Sequence, residues 1–276
     1  MKKIGVLALL VGISILLPSV SYAQEEVSIS PGDVVEQKSL SQEIETVNAS
    51  YRGQLETYRR LEKEYQIAVD QYQKHQTLVS IEDAVKATKK AMQSRNEVLT
   101  TYLTLLRLEL LDAKGVEISQ KNITVARIDQ HLATLAEQKV FIDAMTERIQ
   151  VNEAHDTFAE FGKSVEEVSE EAQVLLSIGK LQAVYDRAFV LRQDIASLVD
   201  PEKEVNNRAA KERALSEIDR VIEASLSGLQ NSWENVVSRR EKESVSSLHK
   251  NLAKSLNPVF VNLSQTVSYF NEFLSL

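Results

Sequence analysis

Val98–Leu111 reads VLTTYLTLLRLELL, with nine apolar residues in fourteen, inside a chain of 276 residues that is 26% charged. Such a run belongs in a membrane, against a partner or in the protein's own core. At 1.5 Å per residue it reaches only roughly 21 Å, short of the roughly 30 Å hydrocarbon layer. Arg107 and Glu109 would each cost about 2.5–3.5 kcal/mol near the bilayer centre. On a helix at 100° per residue, Lys86, Lys89, Gln93, Asn96, Thr100, Thr104, Arg107 and Lys114 fall on one strip, broken mainly by Leu111, and the other faces are mostly apolar. The pattern predicts a central bundle helix covered on three sides, with its polar strip toward water. Glu109 breaks it, because it points away from the strip, among Val98, Tyr102 and Leu105. A carboxylate there needs a partner or a proton, so it is expected at a boundary, near a Tyr, Lys or Arg of another helix.

The sequence on both sides is helical as well. Leu40, Ile44, Val47, Tyr51, Leu55, Tyr58, Leu61, Tyr65, Val69 and Tyr72 recur at steps of three and four, the period of one helix face. A first helix is expected from Asp33 to about residue 77. Ser80 is the expected cap of the second, which ends at Lys114-Gly115, where glycine is free to turn left-handed. A third helix starts near Ser119. Phe161-Gly162-Lys163 and the Ser164–Glu167 capping box set its end and the start of a fourth. Asp200-Pro201-Glu202 separates the fourth from a fifth, which runs to Leu256 with an interruption at Gly228. Asn257-Pro258 opens a short last helix. Short connections turn successive helices back on one another. The predicted fold is all-α, an elongated up-and-down antiparallel bundle of five long helices plus a short C-terminal helix, in one domain over residues 33–276.

The N-terminus sets the expected address. Lys2 and Lys3 precede an apolar run from Ile4 to Leu17, Pro18 breaks it, and Ser21-Tyr22-Ala23 has the small-x-small form of a cleavage site. This is the pattern of a secretory signal peptide of bacterial type over residues 1–23, cleaved after Ala23 and followed by an extended lead over 24–32. The destination is periplasmic, cell-surface or extracellular. Cleavage removes two lysines and no acid, which leaves 30 basic against 40 acidic residues, a net charge of −10. An acidic surface repels nucleic acid and anionic lipid. The chain has no cysteine, which excludes disulfides, thiolate catalysis and Cys-ligated zinc.

No catalytic constellation is legible. A di-metal bundle needs Glu-x-x-His pairs, and none of His75, His131, His155 or His249 has an acid three or four positions away. Gly162-Lys163-Ser164 imitates the end of a phosphate-binding loop, but Thr157 stands where the earlier glycine belongs. Glu166, Glu167, Glu170 and Glu171 are read as a solvated acidic face near a helix start. The expectation is therefore no enzyme, cofactor or metal site. The last segment holds Phe260, Tyr269, Phe270 and Phe273 with Glu272 as its one charge. These aromatics are either a cover for one end of the bundle or a docking helix for a protein partner. The favoured function is an exported scaffold or interaction module acting through coiled-coil-like helix faces. It has no nucleic-acid partner and no stable membrane span, and it leaves oligomerisation open. The alternative is a membrane-active, pore-forming-like protein that stores an apolar hairpin.

Overall fold

The computed structural model describes residues 31–146, 148–198, 208–239 and 245–275. The expected signal peptide, the lead up to Ser30 and the break at Asp200-Pro201-Glu202 lie outside these residues. Within them the protein is all-α: α1 (Pro31–His75), α2 (Leu78–Asp112), α3 (Ile118–Ala144), α4 (Arg148–Leu198), α5 (Arg208–Arg239) and α6 (Val245–Ser275). Helix already begins at Pro31, two residues inside the expected lead, with proline in the first turn, where its missing N–H is not needed.

Side-chain contacts join each helix to its neighbours. Tyr51 of α1 meets Tyr102 of α2, ring centroids 5.4 Å apart. Late in α2, Arg107 Nε donates to Asp129 early in α3 at 2.7 Å, while Asn96 Nδ2 donates to the Leu135 carbonyl at 2.9 Å. Arg192 of α4 donates through Nε and Nη2 to the Asp219 carboxylate of α5 at 2.5 and 2.7 Å. Arg213 of α5 reaches Glu272 near the end of α6 at 3.5 Å. Among the described residues α4 touches α2, α3, α5 and α6, whereas α1 packs on α2 alone.

Several expected boundaries move. The cap of α2 is Thr77 rather than Ser80. Its Oγ1 accepts from the Ser80 amide at 3.2 Å, and the Ser80 hydroxyl accepts from the Thr77 amide at 3.0 Å. Ser80 is thus the far half of a reciprocal box, which serine can complete in place of Glu or Gln. α1 ends at His75, and Gln76 is the turn residue, at φ 49°. Gly115 is not left-handed; no described glycine is. A Cβ on Gly115 would collide with the Gly179 carbonyl and lie 2.9 Å from the Ala183 amide nitrogen, so this glycine lets the α2–α3 loop press against the backbone of α4.

The break expected at Gly162 is absent, and the chain turns between Ala144 and Arg148 instead. Tertiary packing overrides the local stop signal. Phe158, Phe161, Val165, Val168, Ala172 and Leu175 follow one another at steps of three and four, five of them buried and Phe161 packed against them. That face stays continuous only if the helix does. Gly162 costs it roughly 1 kcal/mol relative to alanine. The turn is instead held from outside, where Lys89 Nζ donates to the carbonyls of Asp143 at 2.8 Å and Met145 at 2.9 Å. A cation there also complements the negative end of the helix.

The last two helices are redrawn for the same reason. α5 passes through Gly228 without interruption, because Gly228 makes room for Val259, whose Cγ2 would lie 2.5 Å from a Cβ at that position. α6 passes through Pro258. Its buried residues Leu252, Leu256, Val259, Leu263, Thr266, Phe270 and Phe273 are spaced 4-3-4-3-4-3, a coiled-coil seam that the exposed proline does not interrupt. The six helices are therefore all long, and no short terminal helix exists among the described residues.

Candidate functional site

The apolar run is core. Val98, Leu99, Leu103, Leu105, Leu106, Leu108 and Leu110 are all buried, and Leu111 alone of the run's leucines is exposed. The strip read as its wet edge is instead the seam with α3. Arg107 pairs with Asp129, Asn96 is buried on the Leu135 carbonyl, Gln93 Nε2 donates to Asp143 Oδ1 at 2.8 Å, and Lys89 holds the end of α3. Hydropathy cannot separate a polar strip facing water from one facing a neighbour's carbonyls and carboxylates.

Glu109 is half-buried, and the cation facing it is Lys180 of α4. Burial raises its pKa, and Lys180 opposes the rise. Nearby, Gln173 Nε2 donates to Tyr102 Oη at 2.6 Å. Burial drives the Tyr102 phenol up to about 12, against the Gln173 hydrogen bond and with the help of the charges of Tyr51, Glu109 and Glu170. Because Glu109 binds its proton more tightly folded than unfolded, its linkage favours the folded state at low pH. That contribution is lost as pH rises from about 4.5 through the raised folded value. Glu109→Gln is therefore expected to gain stability at pH 7 and little at pH 4. Urea melts at the two pH values check this, and equal gains at both would show that the carboxylate carries no such linkage.

Glu171 is not on a solvated face. Its side chain is 5% exposed. It accepts from Thr124 Oγ1 at 2.6 Å and pairs with Arg127. One member of the acidic cluster is thus a buried polar link between α3 and α4. His131 is half-buried against Phe161 and Ser164, its pKa lowered by burial and by Arg127. No group of described residues could hold a metal ion.

The four aromatics at the C-terminus separate. Phe270 and Phe273 are core residues, Tyr269 packs against the core, and Phe260 is 59% exposed. Of the expected docking set, only Phe260 is presented outward. It shares a stripe with Val267 and Leu274, each seven residues on and also exposed.

A further polar residue escaped sequence reasoning. Arg95 lies on the same α2 face as Leu99, Tyr102 and Leu106, at steps of four, three and four, so the cation on the apolar side was the missed signal. Its guanidinium sits 3.2 Å from the centroid of the Phe158 ring on α4. Its Nε is buried without a hydrogen-bond partner. Burial lowers its pKa to about 10, against the charges of Tyr58, Glu62 and Tyr65 on α1. Tyr58 Oη spends its proton on Glu62 Oε2 at 3.2 Å.

Comparison with protein-family models, curated proteins and solved structures gives no match.

Proposed function

We propose that the protein is exported with loss of residues 1–23 and acts, without chemistry of its own, as a helical scaffold that binds an envelope or secreted protein through helix–helix contacts. The architecture proposed with it is an elongated up-and-down arrangement of long helices. The observation that carries this reading is α1, a helix of 45 residues, roughly 67 Å at 1.5 Å per residue, whose one helical neighbour among the described residues is α2. Its outward side is left free for another protein. On α6 the stripe of Phe260, Val267 and Leu274 has the seven-residue spacing with which one helix grips another.

A photo-crosslinking residue placed at Ile67 on α1 or Phe260 on α6, both exposed, is expected to yield a discrete protein adduct in the native cell envelope or medium. Val267→Asp should weaken the adduct formed from position 260. Absence of an adduct at both positions would count against the scaffold. The intact protein is also expected to release no dye from liposomes at neutral or acidic pH. Among the described residues no helix is long and apolar enough to cross a membrane. Leakage would move the reading to the membrane-active alternative.

A further inference from the structure

A donor such as Arg95 Nε, shut away from water without a partner, is costly, because its lost hydration is not recovered. Arg95 makes no hydrogen bond or ion pair with any described residue. What surrounds it is specific. The guanidinium carbon sits 3.2 Å from the Phe158 ring centroid, and Arg95 lines a half-open cavity of about 280 Å³ between α2, α3 and α4, walled also by Met92, Gln138, Phe141, Ile142, Ala154 and Thr157. Phe141 is 43% exposed, which places it at the mouth. Among the described residues the charges around the cavity are Glu137, exposed at the rim and not paired with Arg95, and Glu62, across α2 on α1 and engaged by Tyr58.

We infer that this cavity binds a small amphiphilic carboxylic acid, its carboxylate on Arg95 and its apolar body between Phe141, Ile142 and Phe158. A carboxylate supplies a counter-charge and accepts from the guanidinium's Nη donors, as arginine's forked geometry favours. At about 30 Å³ per water-sized unit the volume accepts roughly nine such units, the size of octanoate or benzoate. Mostly apolar walls with a few polar groups among them are the usual make-up of a small-molecule site.

The test is calorimetric titration of the full mature chain with octanoate, benzoate and, as a head-group control, octan-1-ol. At least one acid is expected to bind saturably at one per chain, and its affinity should fall at least tenfold in Arg95→Met. Octanol, if it binds at all, should bind both proteins alike. Glu137→Gln should bind the acid more tightly, because it removes a repelling charge from the rim. In labelled protein the Arg95 Nε–H resonance should shift on addition of the acid. Should Arg95→Met not fold, Ala154→Leu, which fills the cavity and leaves Arg95 in place, is expected to abolish binding. No saturable binding of either acid to the unaltered chain overturns the inference, and so does an undiminished affinity in Arg95→Met. Loss of folding in Glu137→Gln would identify Glu137 as the true partner of Arg95 and overturn it as well.

Discussion

Gly115→Val should lower the melting temperature of the protein by about 6–12 °C, the scale that roughly 3 kcal/mol produces in a chain of this size. The reason lies in where the new atoms go. A Cβ at residue 115 meets the Gly179 carbonyl, the Ala183 amide nitrogen at 2.9 Å and Gln182 Cβ at 3.0 Å. Two of these three are backbone atoms in a continuous helix, which cannot rotate away as a side chain does, so the cost falls at the top of the roughly 1–3 kcal/mol typical of overpacking. The partner glycine is equally constrained, because a Cβ on Gly179 runs into the Val116 side chain and lies 3.2 Å from its amide nitrogen. Gly53→Ala supplies the opposite sign. Nothing lies within 4 Å of a Cβ there, and alanine in a helix interior is worth up to about 1 kcal/mol over glycine. Calorimetric melts of the two variants should bracket the wild type. A Gly115→Val protein that melts like the wild type would show that the α2–α3 loop does not rest on α4.

Removing Arg127 should be the other severe change. Arg127→Met takes the cation away from the buried Glu171 carboxylate and leaves the Thr124 hydroxyl on it. Breaking a buried pair from one side costs about 3–5 kcal/mol. Arg127 is 36% exposed, so water can replace part of what it supplies, and the expected loss is near the lower figure. Thr124→Val alone should cost about 1–3 kcal/mol, because it leaves the carboxylate short of a donor. The triple replacement Thr124→Val, Arg127→Met and Glu171→Leu should recover most of the loss, since a well-packed apolar trio commonly matches the ionic one it replaces. Urea denaturation of the three proteins decides it. A triple variant no more stable than Arg127→Met alone would mean that the polar link is needed to seat α3 on α4.

The helical class was legible because apolar residues recur at steps of three and four almost throughout the chain. Breaks were legible only where a local signal agreed with packing. The end of α2 at Asp112 and the start of α3 one residue before Ser119 fall close to expectation. Gly162, Gly228 and Pro258 carry strong local stop signals, yet at each of them the buried face on either side is in phase, and the gain from keeping it whole exceeds the roughly 1 kcal/mol of a helical glycine or the roughly 3 kcal/mol of a helical proline. The turn at Met145 has the reverse character. Its holding group, Lys89, is 56 residues distant in the chain, so no local pattern announces it. Glu171 and Arg95 were missed because a face assignment describes the side of one helix and is silent about what another helix brings to it.

α1 supplies none of the residues of the main buried cluster, which runs from Leu99 of α2 to Phe273 of α6. Local opening follows such divisions, since a segment detaches at a free energy set by the contacts it alone makes. α1 therefore stands as a unit apart from that cluster, held by its own packing on α2. Its departure would bare Tyr102 and the α1-facing side of Arg95 while Leu103, Leu110 and Ile128 stay sealed. A protein that binds α1 in its displaced form would have to outcompete α2 for it, exchanging one helical neighbour for another while the main cluster stays whole.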